Sequence, residues 1–388
     1  LARDPASAFD ESAFETRDSY RRAVEVLARA SGRPESEVAE RAIDLCLRHG
    51  AGERERHVGY FLVDRGRRQL ERTLGWRPPW RQRLRDAALR RPAALYFGAL
   101  ALLALPPLAA LGAYTLASGG SVWRAGTAAG LAVVPAVGFA LALLNGLFTH
   151  LLPPRRLPRL ELKEGVSQAY RTAVVMPVLL AGGDDLARCL RCLEMNFLNN
   201  TDRNLPHVLL GDFADADSAS AAGDDVLLAQ AERCLRALNE RYCTAFGWSP
   251  FLLLHRQRRW NPCERRWIGW ERKRGKLLEF NRLLTGVGDP GFSHCFGDRR
   301  LLDGVRYVLS LDADTLMPPG AARALIGVMA HPLNRAVVVG DRVVAGYGFL
   351  QPRLEADPVG AADTLFAEAF AGDRTVDLYT HAVSDVYQ

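Results

Sequence analysis

The sequence predicts a mixed α/β protein in which a doubly wound, mostly parallel sheet follows a helical segment and two membrane-spanning helices. Three observations predict this fold class: apolar residues at helical spacing over residues 9 to 75, two long uncharged stretches between residues 93 and 152, and alternating strand and helix patterns from residue 172 onward. Because the chain begins without Met and stops at residue 388 with no change in composition, we expect a fragment whose sheet domain is incomplete at its carboxyl end.

Composition favours a membrane protein over a nucleic-acid-binding one. The chain has 388 residues, enough for two or three compact units, and a formal net charge of +6. Much of the arginine excess flanks the uncharged stretches, as is typical of a membrane surface, so we expect a lipid bilayer and no nucleic acid among the partners. We divide the chain into a helical segment (1–91), two spans (92–152), a linker (153–171) and a sheet domain (172–388).

The cysteines indicate reduced thiols. There are seven, an odd number, and no secretory signal pattern precedes them, so a disulfide framework is not expected. Cys189 and Cys192 form one CxxC pair without a second pair to complete a zinc site. We favour ordinary thiols over a zinc or redox role.

The amino-terminal segment reads as three helices. The first ends at Gly32, the second covers Glu35 to Arg48 before Gly50, and the third runs from about Glu53 to Leu74. Arginines on the third helix could contact phosphates, but a solvated or headgroup-facing surface is the interpretation that we favour.

The two uncharged stretches are each long enough to span a bilayer. Ala93–Ala117 and Ala125–Leu152 contain no Asp, Glu, Lys or Arg, and about 20 helical residues cross a hydrocarbon core of roughly 30 Å. Prolines inside them, Pro106-Pro107 and Pro135, are tolerated in membrane spans. A buried hairpin in a soluble protein is the alternative.

Charge predicts the orientation of these spans. Arginines precede the first span and follow the second, and basic residues favour the cytoplasmic side. We therefore expect a multi-pass protein of the inner (plasma) membrane, with everything after Leu160 in the cytoplasm. Prolines at 153, 154 and 158 mark the linker.

Strand and helix patterns alternate after the linker. Such alternation predicts a parallel sheet that binds ligands at the carboxyl ends of its strands. The strand patterns are Thr172–Leu180, His207–Gly211, Phe251–His255, Val305–Leu311 and Ala336–Gly340. The helical patterns are Asp184–Asn196, Asp224–Ala245, Lys276–Leu284 and Gly320–Ala330.

The strongest chemical signal is the pair Asp312 and Asp314, which follows a hydrophobic strand in a DxD arrangement. Mg²⁺ prefers one or two carboxylates together with phosphate oxygens, so this pair predicts a metal site that would serve a diphosphate leaving group. Helix-capping aspartates before Pro318-Pro319 are the alternative. Leu316 stands where an aspartyl-phosphate phosphatase places Thr or Val, which argues against that class.

A basic segment, Arg272 to Lys276, surrounds Gly275 just before a predicted helix, with three tryptophans nearby. Cations and helix amides together predict a diphosphate cradle, so Lys273, Arg274 and Lys276 are candidate donor contacts. Single-stranded nucleic acid also binds such segments, but it explains neither the DxD pair nor the spans. A solvated basic face is the other alternative.

A softer signal is Asp212, which ends another predicted strand. Its position at the carboxyl edge suits recognition of a base, whereas Asp215 and Asp217 are equally typical of a turn. The segment Gly348–Arg353 by itself indicates only a strand that leaves a turn.

Together these segments resemble the glycosyltransferase region of the cyclic β-1,2-glucan synthases. The resemblance covers nearly the whole chain, and its long composite motifs are more specific than DxD alone. The matching segments are Thr16–Arg21, Arg56–Tyr60, Trp267–Lys276, Ser310–Thr315, Gln351–Arg353 and Tyr379–Gln388.

The resemblance implies a nucleotide-diphospho-sugar transferase fold of the A type, UDP-glucose as donor, Mg²⁺ or Mn²⁺ as cofactor, and inverting synthesis of β-1,2-glucan on a protein-bound primer. By this resemblance the metal motif is Asp312 and Asp314, the nucleotide-binding residue is Asp212, and Lys273 or Lys276 faces the diphosphate. The spacing from these lysines to Asn281 is longer than in cellulose synthases. Gln351 matches the acceptor-side strand, and we count it among the donor-binding candidates.

One departure concerns the general base that an inverting transfer requires. Related transferases carry an Asp downstream of the acceptor strand in a motif that does not occur before Gln388. Asp385 is the substitute candidate, although we expect the base beyond the end of this chain. The competing hypotheses are another processive β-glycan synthase of the cellulose or chitin synthase type and a non-catalytic membrane sensor of nucleotide sugars.

Overall fold

The computed structural model describes residues 1–49, 52–76, 90–151, 156–288 and 290–352, and these fall into two compact units. Among the described residues, one unit comprises 1–9, 18–158 and 347–352, and the other comprises 10–17 and 159–346. The domain boundaries drawn from the sequence stay predictions.

Amphipathic helices build the amino-terminal core, as predicted. After a short α1 (Ala8–Glu11), helices α2 (Phe14–Ser31) and α3 (Glu35–His49) bury one apolar face each. Tyr20 and Val38, at the centre of this core, are fully buried. The predicted closing residue Gly50 lies outside the described residues.

The prediction of a single helix from about Glu53 to Leu74 is wrong. The segment forms two short helices, α4 (Gly59–Val63) and α5 (Arg67–Thr73). Between them Asp64 adopts an extended backbone conformation (φ −114°, ψ −157°), and its carboxylate accepts hydrogen bonds of 2.6 and 3.1 Å from Arg54. This largely buried ion pair stabilises the extended conformation of Asp64, which separates the two helices.

Two apolar helices, α6 (Pro92–Ala117) and α7 (Val122–Leu151), match the predicted spans and are long and apolar enough to cross a membrane. Most of their side chains are exposed, with Leu131 77% accessible, which a buried hairpin in a soluble protein would not show. The Tyr96 hydroxyl donates a 2.9 Å hydrogen bond to Asn145 and thereby links the two helices.

The second unit is built on a five-stranded sheet. The strands are β1 (Thr172–Leu180), β2 (His207–Phe213), β3 (Phe251–Arg256), β6 (Phe292–Phe296) and β7 (Tyr307–Ser310). Their order in the sheet is β6-β3-β2-β1-β7. Strands β1, β2, β3 and β7 run parallel to one another, as predicted, while β6 is antiparallel to β3.

Helices cover both faces of this sheet. On one face Leu193 and Phe197 pack with Phe251, and on the other Phe280 packs against Val175. These residues are fully buried, so the core is split into two layers by the sheet. The helices are α8 (Gly183–Asn199), α9 (Asp224–Phe246), α10 (Arg272–Thr285) and α11 (Ala321–Ala330).

Several elements differ from their predicted bounds or pairing. The predicted strand Val305–Leu311 is shortened to β7, so one residue, Leu311, separates the strand from Asp312 where the prediction had none. The predicted strand at 336–340 exists as β8 (Val337–Val339) but pairs with β9 (Arg342–Ala345) in a separate antiparallel hairpin. Helix α10 begins at Arg272 rather than at Lys276 because Glu271 and Arg272 adopt left-handed φ angles of 51° and 46°, which turn the chain into the helix earlier.

We expect the stability of the sheet unit to depend on pH because of His207, a buried residue at the start of β2. Burial lowers its pKa to about 4, against the opposing hydrogen bond to the Leu205 carbonyl, whereas an unfolded histidine titrates near 6.5. Between roughly pH 6.5 and 4 the unfolded chain binds a proton that the folded chain does not. Lowering the pH through this range therefore decreases the free energy of unfolding, by up to about 3 kcal/mol from this group.

The matched variant is His207→Phe, since the imidazole packs edge-to-face on Phe197 and Phe251. Thermal unfolding of both proteins at pH 7 and pH 4.5 checks the prediction, and we expect a smaller loss of Tm in the variant. An equal loss in both proteins would show that other groups cause the acid sensitivity.

Candidate functional site

The candidate site lies at the sheet edge where β1, β2, β3 and β7 end. Leu311 is buried and continues the pairing of β7 through a 2.9 Å hydrogen bond from its amide to the Val175 carbonyl. The next residues leave the sheet, and Asp312 and Asp314 are both exposed. The DxD pair therefore stands at the carboxyl edge, which is where open α/β sheets bind ligands.

Lys273 contacts the DxD pair. Its ammonium donates a hydrogen bond to Asp312 Oδ1, and the two side chains are 51% and 60% exposed. An ion pair this exposed contributes little to stability because water screens it. The contact therefore brings together two motifs that are 39 residues apart in the sequence and leaves both groups free to change partners.

Asp212 and Lys276 lie below the surface of this edge. Asp212 is 2% exposed and accepts hydrogen bonds of 2.8 and 2.7 Å from Arg256, and Lys276 Nζ lies 3.3 Å from it. Lys276 also donates a 2.6 Å hydrogen bond to the Val178 carbonyl. Their polar atoms are thus engaged within the protein, and direct contact of either residue with a donor stays a prediction.

Arg256 is the centre of this buried network, and the sequence analysis missed it. Its guanidinium binds Asp212 on one side and Glu279, at 2.8 Å, on the other. Burial alone would lower the pKa of Arg256, but the hydrogen bonds and charges of the two carboxylates raise it above its ordinary value. The signal that could have identified it is its place at the end of a buried strand, the same signal that identified Asp212.

Burial lowers the pKa of Lys276, and the Asp212 carboxylate acts in the opposite direction. With Arg256 and Glu279 the network contains two cations and two carboxylates, so its buried charges compensate one another. It fixes the first turn of α10, which carries Lys273, against the end of β2.

Two glycines permit this packing. A Cβ atom on Gly269 would lie 2.4 Å from Asp212 Oδ2, and one on Gly275 would lie 2.0 Å from the Trp270 carbonyl oxygen. Gly275 therefore serves the close approach of α10 to the preceding loop. The basic residues around it lie within the first turn of the helix rather than before it, which corrects the predicted cradle.

The remaining cations of this segment are exposed. Arg274 is 82% exposed and pairs with Glu271 at 3.3 Å. Arg272 pairs with Asp215 at 2.9 Å, so Asp215 is more than a turn residue.

A short hairpin borders the site. Strands β4 (Arg259–Asn261) and β5 (Arg266–Ile268) pair with each other, and Trp267 exchanges backbone hydrogen bonds of 2.8 and 3.0 Å with Ala216. The Trp260 and Trp267 rings lie 6.0 Å apart. Two of the three predicted tryptophans are thus tied to the segment that follows β2.

Two predicted site residues are not among the described residues of this unit. Gln351 is an exposed residue of the other compact unit, and its role stays a prediction. Asp385 lies outside the described residues, as does Arg353.

The donor set fits a hard divalent cation that also binds a diphosphate. In the described part of the chain, no group of three or more His, Cys, Asp or Glu residues gathers as a metal cage. Asp312 and Asp314 offer two carboxylates, which is what Mg²⁺ commonly takes from a protein when phosphate oxygens complete its coordination. These two residues would hold the ion, and Lys273 would stand beside it.

A parallel-rich α/β sheet with a DxD pair at its carboxyl edge, together with two apolar helices, is consistent with the class of glycosyltransferases. No protein-family model matches the chain. The chain is 36% identical over 386 residues to the cyclic beta-(1,2)-glucan synthase NdvB of Rhizobium meliloti (strain 1021). This similarity confirms the resemblance seen in the motifs and supports membership of the chain in the cyclic β-(1,2)-glucan synthase family.

The alignment covers 97% of this chain but 14% of that relative. The similarity thus includes the helical segment, the apolar helices and the sheet unit, and it concerns a small part of the larger protein.

Proposed function

We propose that this chain contains the donor-binding part of a membrane glucosyltransferase that uses UDP-glucose to build β-1,2-glucan for cyclic glucan synthesis. The contact between Lys273 and Asp312 carries the proposal, because it joins the basic motif and the DxD motif at one sheet edge. Similarity to a cyclic glucan synthase over 97% of the chain supports the same conclusion. The A-type nucleotide-diphospho-sugar transferase fold belongs to this proposal.

The chemistry that this edge would support is departure of a nucleoside diphosphate. A divalent cation, Mg²⁺ or Mn²⁺, would neutralise the charge that develops on the leaving group. Asp312 and Asp314 would hold that ion, and Lys273 would exchange Asp312 for a diphosphate oxygen. Arg274, exposed on the same turn, would add positive potential along the route of the anionic donor.

The buried network holds in place the helix that carries Lys273. Asp212, Arg256 and Glu279 fix α10 so that Lys273 projects from its first turn toward the DxD pair. A helix that packed neighbours hold in place loses little backbone entropy when a ligand binds, which favours affinity. The inverting course of the reaction, a general base downstream of the described residues and a protein-bound primer complete the proposal.

The spans would place this chemistry at the inner membrane. Arg90 and Arg91 precede α6, and Arg156 and Arg159 follow α7. Since basic flanks favour the cytoplasmic side, the sheet unit would lie in the cytoplasm, where it meets UDP-glucose.

Calorimetric titration of UDP-glucose into the detergent-purified chain tests the proposal. We expect binding that requires Mn²⁺ or Mg²⁺ and that UDP, but not glucose, competes away, because the phosphates and the ion would supply most of the contacts. Absence of metal-dependent binding, both in this chain and in one extended beyond Gln388, would contradict it. Linkage analysis of the polymer made by the longer protein separates β-1,2-glucan from other β-glycans.

A further inference from the structure

Three asparagines at the carboxyl-terminal end of α8 lie beside the segment that follows the DxD pair. Asn196, Asn199 and Asn200 belong to a stretch of sequence that suggested no function. Asn196 is fully buried and Asn200 is 5% exposed. Their side chains point at the backbone of residues 315–322, which we call the post-DxD segment.

Asn196 forms hydrogen bonds with the two residues of this segment that flank Leu316. Its Nδ2 donates a 2.9 Å hydrogen bond to the Thr315 carbonyl, and its Oδ1 accepts a 2.7 Å hydrogen bond from the Met317 amide. An asparagine amide is both donor and acceptor, so one side chain satisfies two backbone groups that lack a strand partner.

The two neighbouring asparagines extend the contact. Asn199 donates to the Met317 carbonyl at 2.9 Å. Asn200 donates to the Pro318 carbonyl at 3.2 Å and accepts from the Ala322 amide, in the first turn of α11, at 3.0 Å. Five hydrogen bonds from three side chains therefore fix the post-DxD segment to α8.

The connection reaches the DxD pair itself. The Thr315 amide donates a 3.0 Å hydrogen bond to the Asp312 carbonyl, while the Thr315 carbonyl is held by Asn196. Cys192, one turn earlier on α8, also directs its thiol at this carbonyl, at 3.4 Å. The backbone that presents both carboxylates is thus closed into a turn and attached to a packed helix.

We propose that Asn196 is a positioning residue for the DxD pair, holding Asp312 and Asp314 in the arrangement in which they bind the cation and diphosphate of the donor. The inference rests on the proposed function. Side chains that orient ligating carboxylates typically change metal affinity by about 10- to 100-fold when they are removed. A purely structural asparagine would change stability and leave affinity alone.

The chain provides a matched control in Asn239. This side chain also donates one backbone hydrogen bond and accepts another, in its case both with Phe251, whose carbonyl accepts and whose amide donates, each at 2.9 Å. It is buried, as Asn196 is. Phe251 begins β3, so Asn239 acts at the sheet edge opposite the candidate site.

The experiment compares Asn196→Ala with Asn239→Ala in the full chain in detergent. Mn²⁺ affinity in the presence of UDP-glucose is measured from the electron paramagnetic resonance signal of the free ion, and Tm is measured alongside. We expect similar losses of Tm in both variants, a roughly 10-fold or larger loss of Mn²⁺ affinity in Asn196→Ala, and a change within about twofold in Asn239→Ala. If Asn196→Ala does not fold, Asn196→Ser, which keeps a hydroxyl donor, is used for the same comparison.

Equal Mn²⁺ affinities in the two variants would overturn the positioning role while leaving the proposed function intact. Failure of the unaltered protein to bind Mn²⁺ with UDP-glucose would overturn the proposed function, and this inference with it. The two failures are distinguished by the unaltered protein alone.

Discussion

Replacing Asp314 by Asn is expected to weaken Mn²⁺-dependent binding of UDP-glucose by about 100-fold, or about 2.7 kcal/mol. The amide keeps the shape of the side chain but removes the charge and one strong oxygen ligand from an exposed pair of carboxylates at the sheet edge. Asp312→Asn should act in the same direction and also release Lys273 from its partner. Titration calorimetry with and without Mn²⁺ measures both effects.

Asp298→Asn is the control. Asp298 is an exposed aspartate that follows β6, and because β6 is antiparallel to β3 it ends at the sheet edge opposite the candidate site. Its loss should leave donor affinity unchanged. Donor binding that is unaffected by both Asp312→Asn and Asp314→Asn would contradict the assignment of this edge as the donor site.

The second large effect is expected from Arg256→Met, which should destabilise the sheet unit by about 3–5 kcal/mol. The substitution leaves the buried Asp212 with Lys276, and it leaves the buried Glu279 with the half-exposed Arg259 at 3.4 Å. Uncompensated buried charge costs more than the lost hydrogen bonds themselves. Thermal or denaturant unfolding in detergent measures the change.

A second substitution separates charge from packing. Adding Glu279→Gln to Arg256→Met removes the buried carboxylate that has lost its closer cation, and it should recover part of the lost stability. Arg300→Met, which deletes an exposed pair with Asp298, should leave Tm nearly unchanged. A single variant Arg256→Met as stable as the unaltered protein would show that the network does not hold this edge together.

The buried strands were predictable because they read as continuous apolar runs. Thr172–Leu180 has the predicted bounds, and β2 and β3 differ from theirs only at the carboxyl end. Strand β6 was not predicted, since its sequence mixes Ser293 and His294 with aromatic residues at a half-exposed edge. Edge strands and short hairpins carry little apolar signal because only part of their surface is buried.

The candidate site was predictable to the level of its motifs but not of its contacts. Asp312, Asp314 and Lys273 were identified by residue type and by position after a strand or before a helix. Arg256 and Asn196 were missed because their partners lie 23 to 121 residues away in the sequence, and only the folded chain brings them within hydrogen-bond distance. For Asp212 and Lys276 the sequence predicted a position at the carboxyl edge of the sheet, but it did not show that their side chains are buried.

On the proposal that α6 and α7 span a bilayer, the hydrogen bond between Tyr96 and Asn145 has a consequence for how the two helices would enter it. A helix that carries a lone hydroxyl or amide into hydrocarbon leaves that group without a partner, whereas two helices that arrive together satisfy both groups at once. The pair therefore favours insertion as a preassembled hairpin over insertion of one helix after the other. In that order of events the short turn at residues 118–121 would cross the membrane together with the two helices that it connects, after they have paired.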